Sequence, residues 1–434
     1  MSKGTTLRLI PALLAVAFSG SASASGFQLL EQNASGIGNA YAGSAAVAEN
    51  ASTIFFNPAG MTQLQARELS VGVSAISTSF KFSNDGASSV GSFATAGNGG
   101  DGGGWGFVPN GYVSWALSKD LYLGLGVGAP FGLKVEYDKS WIGAAQSTSF
   151  DIKTYNLNPS IAYRVNDTVS VGFGLNWQRI EAEYLRQAGT TAGTSLVQVK
   201  MKLDDDSWGW NAGLLFKLSP ATKIGVSYRS EVKYKTKGNV ALSSDGSALG
   251  NATLAGLVGA GRASDVKAKI DVPDTVVLSG THQLNDRWEL LGDVSWTGWS
   301  SIPKVDIFRT SGVLNGQIAQ TLDTRFRDTW RFAVGANYRI DDAWKLKLGV
   351  AYDQTPVPNA AHRLTSLPDN DRTWLSVGAQ WRPNKTSTLD MGLTYLYVKD
   401  PKISNDQRAD VRGLVSGSYD ASIWILGAQY SMAF

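Results

Sequence analysis

The chain has 434 residues, including 48 glycines, 14 tryptophans and 15 tyrosines but no cysteine, and its formal net charge is +3. The lack of cysteine excludes disulfides and thiolate sites for metal or redox chemistry. The near balance of charge and the absence of a Lys/Arg run argue against a nucleic-acid partner. No stretch beyond the first residues is apolar enough for a membrane-spanning helix.

Residues 1–24 have the three parts of a secretory signal peptide. Lys3 and Arg8 give a positive start, residues 9–18 form a short apolar run, and Ala22-Ser23-Ala24 is a small-residue cleavage site. The alternative is a membrane anchor, but an anchor requires about 20 apolar residues and this run is shorter. We therefore expect a mature chain that begins at Ser25.

Residues 26–60, GFQLLEQNASGIGNAYAGSAAVAENASTIFFNPAG, are rich in small apolar side chains that need cover. The segment is too apolar for a disordered linker. Gly, Asn and Glu interrupt it too often for a membrane helix. If the rest of the chain forms a hollow barrel, this pattern predicts a plug inside it.

The last strand shows the clearest alternation in the chain. Its even positions from Trp424 to Phe434 are apolar, with aromatic residues near both ends, whereas its odd positions are mostly small or polar. Such alternation is typical of a barrel strand with one face toward lipid and the other toward the lumen. The same period recurs at 224–234, 330–338, 344–352 and 389–397.

Short polar turns alternate with long connections. The turns lie at 118–120, 166–167, 219–222, 285–287, 341–342 and 383–385, and the predicted loops cover 83–104, 133–147, 185–204, 238–266, 300–322, 357–371 and 400–416. A propeller would show a repeat of about 40–50 residues, which we do not find. We therefore predict an all-β fold, a transmembrane antiparallel β-barrel of about 14 strands. The predicted divisions are a signal peptide at 1–24, a lumenal hatch at 25–64 and the barrel at 65–434.

The third predicted strand ends in an unusual run, Gly128-Ala129-Pro130-Phe131-Gly132. Pro130 cannot donate a ladder hydrogen bond, and the flanking glycines favour a bulge or bend. The run is either a defect in the barrel wall or the start of the loop just beyond the membrane.

Charged residues on the predicted inner faces are candidates for binding an anionic ligand. Strand parity places six of them inward: Arg325, Arg327 and Arg331 on one strand, and Arg229, Glu231 and Lys233 on another. Clustered arginines bind carboxylates well, although the charges of a barrel interior also pair with one another. Outside the membrane, segment 238–261 carries leucines at helical spacing, which form either an apolar landing site or packing on a neighbouring loop.

The sequence nominates no catalytic, metal or cofactor site. His282 falls on a predicted lipid-facing position, His362 lies in a loop, and no nucleophile has a recognisable partner. The acidic run at 369–371 lacks a full calcium ligand set. We predict that the chain is not an enzyme and binds no metal or cofactor.

Several motifs extend over nearly the whole mature chain. They are Ser25-Gly26-Phe27-Gln28-Leu29, SGIGNAYAG at 35–43, Asn57-Pro58-Ala59-Gly60, WGWNAG at 208–213, and Phe326-Arg327-Asp328 followed by Arg331. Together they resemble the FadL family of outer-membrane transporters, which take up long-chain fatty acids or other hydrophobic compounds. The chain is therefore expected in a Gram-negative outer membrane.

The resemblance implies a passive route for an amphipathic substrate. The substrate would land on two long loops, here 185–204 and 238–266, and then enter a lumenal pocket. That pocket would include Ser25, Gly26 and Phe27 of the hatch, with Arg327, Arg331 and Arg229 as carboxylate contacts in that order of preference. Asn57, Pro58 and Ala59 would anchor the hatch. Release would be sideways, through a gap at Gly128, Pro130, Phe131 and Gly132.

A long-chain fatty acid is the expected ligand, and an aromatic hydrocarbon is the alternative within the same fold. An adhesin would leave the hatch unexplained, an acyl hydrolase lacks a suitable histidine, and a general porin would be blocked by the hatch. The expected partners are outer-membrane lipid, lipopolysaccharide and, through the terminal Phe434, the barrel assembly machinery. The chain is expected to be a monomer.

Overall fold

The computed structural model describes residues 26–191, 194–257 and 263–434. The predicted signal peptide and Ser25 lie outside the described residues. Within them, the strand segments form one antiparallel sheet. The segments are β1 (Arg67–Asn84), β2 (Trp105–Ala116), β3 (Leu121–Gly128), β4 (Gly132–Glu136), β5 (Ser149–Arg164), β6 (Val169–Thr191), β7 (Thr194–Lys217), β8 (Thr222–Arg229), β9 (Val232–Ser244), β10 (Ala263–Val272), β11 (Thr275–Gln283), β12 (Trp288–Thr297), β13 (Val305–Arg309), β14 (Ile318–Leu322), β15 (Thr329–Arg339), β16 (Trp344–Asp353), β17 (Arg372–Asn384), β18 (Ser387–Val398), β19 (Lys402–Gln407) and β20 (Gly413–Ala433).

These segments build a closed barrel of fourteen strands. Six strands consist of two consecutive segments each: β3/β4, β8/β9, β10/β11, β12/β13, β14/β15 and β18/β19. The ring closes because β1 pairs with β2 on one side and with β20 on the other. The predicted transmembrane barrel is thus confirmed.

Helices are few and short in the described part of the chain. The α-helices are α1 (Thr53–Phe56) and α2 (Ala248–Leu257). Short 3-10 helices occur at Ile37–Asn39, Pro58–Gln63, Gly91–Phe93, Trp299–Ser301, Ala360–His362 and Arg408–Asp410. No described helix has the length and apolar character needed to cross a membrane.

The strands expose apolar side chains and bury polar ones where they cross the membrane. In β16, Leu346, Leu348 and Val350 are exposed, whereas Lys347 and Asp353 are buried. β20 shows the same pattern, with Trp424 and Leu426 exposed. This pattern is the reverse of a soluble sheet and is typical of a barrel whose outer face meets lipid.

The pattern inverts toward the ends of the long hairpins. In β7, Trp208 and Trp210 are exposed, but farther along the same strand Met201 and Leu203 are buried and Lys202 is exposed. Apolar residues therefore face outward up to the tryptophans and inward beyond them. We take this polarity inversion as the level at which the outer face passes from hydrocarbon to headgroups and water, because aromatic girdles mark that level.

The predicted loop 185–204 is largely strand, and the predicted loop 238–266 is partly strand and partly helix. β6 continues to Thr191 and β7 begins at Thr194, so most of 185–204 is a strand hairpin. Within 238–266, β9 runs to Ser244, α2 follows, and β10 begins at Ala263. Leu254 of α2 is buried against Leu196 and Val197 of β7, which agrees with the packing alternative for this segment.

Residues 26–64, which we call the hatch, cross the interior of the barrel. Arg331 of β15 donates a hydrogen bond to the carbonyl of Ala40, and the Asn39 side chain donates to the carbonyl of Leu348 in β16 at 3.1 Å. The wall makes room for this backbone with glycine. A Cβ on Gly225 would lie 1.9 Å from the Ala45 carbonyl oxygen, and a Cβ on Gly349 would lie 2.1 Å from the carbonyl carbon of Asn39. The domain boundaries at 25–64 and 65–434 stay predictions.

Candidate functional site

The first residues of the hatch pair with the run between β3 and β4. The amide of Leu29 donates to the carbonyl of Pro130 at 2.8 Å, and the amide of Gly132 donates to the carbonyl of Phe27 at 2.8 Å. Gln28 and Phe131 form an antiparallel bridge between these bonds. The hatch thus lies as a short extra strand along residues 129–131, which we call the kink.

The kink contains one surplus residue. β3 pairs Gly128 with Asn156, and β4 pairs Gly132 with Lys153, so three residues on this strand face two on β5. Pro130 lacks an N–H and fits a position where the ladder is interrupted. Because β4 resumes pairing with β5, Pro130 lies within the wall rather than in the following loop.

Next to the kink, part of β2 has no ladder partner on the side that faces β3. β2 pairs with β3 only from Gly111 onward, and in the described part of the chain its residues 105–110 pair with β1 alone. Farther up, the amide of Glu136 donates to the carbonyl of Gly102 at 2.9 Å, which closes the seam again. The wall therefore has a bounded ladder break between β2 and the kink.

An apolar cavity lies beside the start of the hatch. Apart from Thr324, Ser366 and the Tyr184 hydroxyl, its lining is hydrocarbon. The lining residues are Phe27, Phe150, Ile152, Ala182, Tyr184, Met201, Leu203, Ile270, Ile302, Val305, Ile307, Leu322, Thr324, Phe326, Leu364, Ser366 and Leu367. Many of these are the inward residues beyond the polarity inversion. An acyl chain or an aromatic ring that enters this cavity would exchange contact with water for contact with apolar side chains, which is favourable.

Aromatic rings connect this cavity to the kink. The ring centroid of Phe27 is 5.0 Å from that of Trp299 and 5.7 Å from that of Phe131. Trp299 in turn meets Phe326 edge-on at 5.8 Å. Gly26 sits against the same tryptophan, since a Cβ there would lie 2.8 Å from the Trp299 ring. Its amide donates to Asp369 at 2.9 Å.

A second cavity is lined largely by polar and charged residues, among them two of the predicted arginines, Arg331 and Arg229. We call it the polar cavity. Arg331 is buried and lies over the Trp374 ring at 4.9 Å. Arg229 donates to the Phe55 carbonyl at 2.9 Å and lies over the Phe55 ring at 4.0 Å. Phe27 lines the apolar cavity whereas Gln28 lines this polar one. The first turn of the hatch therefore separates the two cavities.

The prediction that Arg325 and Arg327 face the lumen is wrong. The Arg325 side chain is 67% exposed beside Asp323, and the Arg327 side chain is 53% exposed with Asp371 4.0 Å away. Phe326 between them faces inward instead. Residues 323–328 lie between β14 and β15 without ladder pairing, so strand parity does not carry across them. Arg327 lines neither cavity, and the arginines available inside are Arg331 and Arg229.

The prediction that Glu231 and Lys233 face the lumen is also wrong. Lys233 is exposed and pairs with Glu231 at 2.6 Å. Val232 and Tyr234 take the inward positions, because the strand breaks at Ser230 between β8 and β9 and the facing residues shift by one.

Asn57 joins the hatch to itself and to the wall. Its side-chain amide donates to the carbonyls of Ala45 at 2.7 Å and Leu214 at 2.9 Å, and its side-chain oxygen accepts from the amide of Ala59 at 3.1 Å. Pro58 opens the 3-10 helix that follows, where its missing N–H costs nothing. These bonds link the hatch to β7, and the anchoring role of Asn57, Pro58 and Ala59 stays a prediction.

Glu31 is the residue that sequence reasoning missed. It is fully buried in the hatch, and neither carboxylate oxygen has a hydrogen-bond partner among the described residues. Burial raises the pKa of Glu31 to about 7, although the residue's own backbone amide and the charges of Arg372 and Arg331 oppose that shift. A single acid among small apolar residues is the signal that could have drawn attention to it.

A second buried charge cluster fixes the far end of the hatch. Lys347 of β16 lies 2.6 Å from the carboxylate of Glu49 and 2.9 Å from that of Asp390 in β18. Burial alone would raise the pKa of Glu49, but the charges of Lys347 and Lys345 lower it overall. The hatch is therefore ion-paired to the wall at Glu49.

The two histidines and the acidic run each contact neighbouring polar side chains. His282 shares a hydrogen bond with Thr222 at 2.9 Å beside a short turn, and His362 contacts Asn359 at 2.9 Å. The Asp369 carboxylate accepts from Thr355 at 2.7 Å and pairs with Arg372. No cluster of three potential metal-binding side chains occurs in residues 26–191, 194–257 or 263–434.

A closed barrel with an apolar outer belt, crossed inside by its own N-terminal segment, defines an outer-membrane transport barrel. Comparison with known proteins agrees with this class. The chain belongs to the family described as outer membrane protein transport protein (OMPP1/FadL/TodX), whose model matches residues 15–434. This family consists of transporters and channels, which confirms that the chain is not an enzyme and is an outer-membrane protein.

Individual relatives support the assignment. The chain is 31% identical to outer membrane protein P1 of Haemophilus influenzae, over 94% of each chain. It is 30% identical to the long-chain fatty acid transport protein of Escherichia coli K12, over 100% of each. Among solved structures, a Pseudomonas aeruginosa FadL homologue superposes with a TM-score of 0.85 at 23% identity, covering 94% of this chain and 99% of that one. The Ralstonia pickettii toluene transporter TbuX gives a TM-score of 0.67 at 18% identity, covering 94% and 100%.

Proposed function

We propose that this protein mediates passive uptake of long-chain fatty acids across the outer membrane. The acid is captured at the extracellular hairpins, binds in the apolar cavity and leaves sideways through the ladder break. Relatives that are about 30% identical over the whole chain bear the name long-chain fatty acid transport protein, which supports this choice of substrate. The hatch closes the axial route, so the protein is not a general porin.

One observation carries the proposal: the first residues of the hatch contact both the apolar cavity and the kink in the wall. Phe27 lines the apolar cavity, and the backbone of residues 27–29 is bonded to the kink. A ligand that pushes against Phe27 therefore acts on the peptide that lies along the break. Displacement of these few residues would connect the cavity with the membrane.

The chemistry of the two cavities suits a fatty acid. Each buried CH₂ contributes roughly 0.8 kcal/mol, so an apolar cavity holds an acyl chain without a cofactor. The carboxylate would meet Arg331 or Arg229 across the first hatch turn, because these arginines face the polar cavity. Transport needs no energy input if downstream reactions consume the acid.

An aromatic hydrocarbon is the second candidate, since several toluene transporters share the fold. Such a ligand has no carboxylate and would gain nothing from the buried arginines. Arg331→Gln should therefore weaken oleate binding and leave toluene binding unchanged. Equal effects on both ligands would remove the basis for preferring the fatty acid.

The lateral route is tested by deleting Pro130. The deletion removes the surplus residue of the kink, so that β3 and β4 can pair with β5 as one continuous strand. Oleate uptake in a transporter-null strain should fall to background, while the purified protein still binds oleate. Pro130→Ala keeps the surplus residue and serves as the matched control, with uptake near wild type. Normal uptake by a folded deletion variant would refute lateral release.

We further propose that the protein is a monomer and that Phe434 engages the assembly machinery. In the structure Phe434 is 59% exposed at the end of the last strand, beside β1.

A further inference from the structure

Four lysines form a patch on the outer surface of the barrel, which we call the lysine patch: Lys235 and Lys237 on β9, and Lys267 and Lys269 on β10. All four are exposed, and the residues between them, such as Tyr234 and Ile270, are buried. The lysine side chains therefore project outward from the wall. They do not belong to the lumenal route.

The strand register sets these lysines directly opposite each other. Lys237 pairs with Lys267, and Lys235 pairs with Lys269. Residues directly opposite in an antiparallel pair have Cβ atoms about 5 Å apart, and like charges there are destabilising. The sheet thus holds two repelling cation pairs, one above the other.

The four lysines of the patch form no close ion pair within the described protein, although the carboxylate of Asp271 is near enough to Lys269 for their charges to interact. None of its four ammonium groups lies within 4.0 Å of a carboxylate, whereas the nearby Lys200, Lys202 and Lys233 all do. Asp204 stands opposite Lys237 on β7, but its carboxylate is bound by Arg179 at 2.9 Å. No carboxylate of the described protein is bound directly to these lysines, so an external anion could relieve the repulsion between the two cation pairs.

The position of the lysine patch relative to the membrane indicates which kind of anion lies next to it. Trp208 and Trp210 mark the top of the lipid-facing belt on β7, and Asp204 of the same strand is level with Lys237. At about 3.4 Å per residue, the lysines stand roughly 10 Å above the tryptophans. This is the level of the headgroups in the outer leaflet.

We propose that the lysine patch binds the phosphate groups of lipopolysaccharide, the phosphorylated glycolipid of the outer leaflet. Two stacked cation pairs suit a headgroup that carries two phosphates, since each pair can hold one phosphate through charge-assisted hydrogen bonds. The acyl chains of the same lipid would lie against the apolar belt below. This site is independent of the proposed transport function.

Native mass spectrometry of the purified protein, titrated with bisphosphorylated lipid A, tests the site. A lysine near an anionic membrane surface contributes about fivefold in affinity. The variant K235Q/K237Q/K267Q/K269Q should therefore bind at least about tenfold more weakly. The matched control removes four exposed charges near the short turns instead: K119Q, K217Q, R382Q and K385Q. The control should bind like wild type.

Three further measurements accompany this titration. Replacement of the four lysines by arginine should restore binding, because arginine keeps the charge. Dephosphorylated lipid A should bind the wild type as weakly as bisphosphorylated lipid A binds the glutamine variant. Inorganic phosphate at millimolar concentration should not displace the lipid; full displacement would make the patch a free-anion site and overturn the proposal. Equal lipid affinity of the glutamine variant and wild type would also overturn it. If the fourfold variant does not fold, K237Q/K267Q and K235Q/K269Q are measured separately.

Discussion

Replacement of Asn57 by alanine should release the hatch from its anchor. The side chain makes three hydrogen bonds, to Ala45, Leu214 and Ala59, in a fully buried position. At about 1 kcal/mol each, their loss lowers the free energy of hatch opening by about 3 kcal/mol. The open population should then rise by about 100-fold. Gly213→Ala attacks the same contact from the wall, because its Cβ would lie 1.9 Å from the Asn57 side-chain oxygen.

Hydrogen exchange of the purified protein measures this directly, since amides of the hatch exchange through local opening. Peptides covering residues 45–60 should exchange about 100-fold faster in Asn57→Ala, and barrel peptides should not change. Asn166→Ala is the control: Asn166 also accepts two backbone hydrogen bonds, at 2.9 and 2.8 Å, but in an exposed turn. If hatch exchange rises less than threefold, or rises equally in the control, the anchoring argument fails.

Three other changes have defined outcomes. Burial raises the pKa of Glu31 from its ordinary 4.5 to about 7, so the packed hatch binds a proton that the unfolded chain releases. Hatch stability should be fully present below pH 4.5 and fall by up to about 3 kcal/mol as the pH rises through 7; hydrogen exchange at pH 5 and 8 tests this, and Glu31→Gln should abolish the dependence. Phe27→Ala should weaken oleate binding at least fivefold in a fluorescence titration, because roughly 1 kcal/mol or more of apolar contact is lost. Lys347→Met should lower the unfolding free energy by about 3–5 kcal/mol in guanidinium titrations, because Glu49 and Asp390 stay buried without their cation.

Each of these outcomes can be contradicted. Hatch exchange with the same pH dependence in Glu31→Gln and wild type would assign the titration to another group. Undiminished oleate affinity in Phe27→Ala would remove this ring from the binding site. For Lys347, the exposed turn residue Lys385 gives the matched control, and Lys385→Met should cost less than about 0.5 kcal/mol.

The sequence predicts the barrel well because every second residue of a membrane-crossing strand faces lipid and is therefore apolar. Trp424 and Leu426 alternate with small or polar residues, and no neighbouring element can change which face meets the membrane. The same rule fails where pairing stops. Arg327 lies between two strand segments, and Lys233 follows a break at Ser230, so in both places parity counted from the membrane gives the wrong face.

Other features depend on contacts that one sequence does not reveal. The sequence predicts a loop where the hairpin of β6 and β7 extends, because the outer face of this hairpin is charged beyond the polarity inversion, as at Lys202. The position of Glu31 near Arg331 and Arg372 depends on residues some 300 positions away in the chain. The sequence around Pro130 offers the kink as one of two alternatives, and it does not reveal that the kink pairs with the hatch.

The close fit of hatch and wall restricts how a ligand can pass. Backbone atoms of Ala45 and Asn39 lie where any side chain larger than glycine at Gly225 and Gly349 would stand. We expect that a hatch held this tightly on separate sides does not slide out of the barrel as a unit. For the same reason, we expect that it is not threaded in after the barrel has closed. The proposed lateral release therefore requires only the leading residues of the hatch to peel from the wall, and we expect the strands to assemble around a hatch that is already in place.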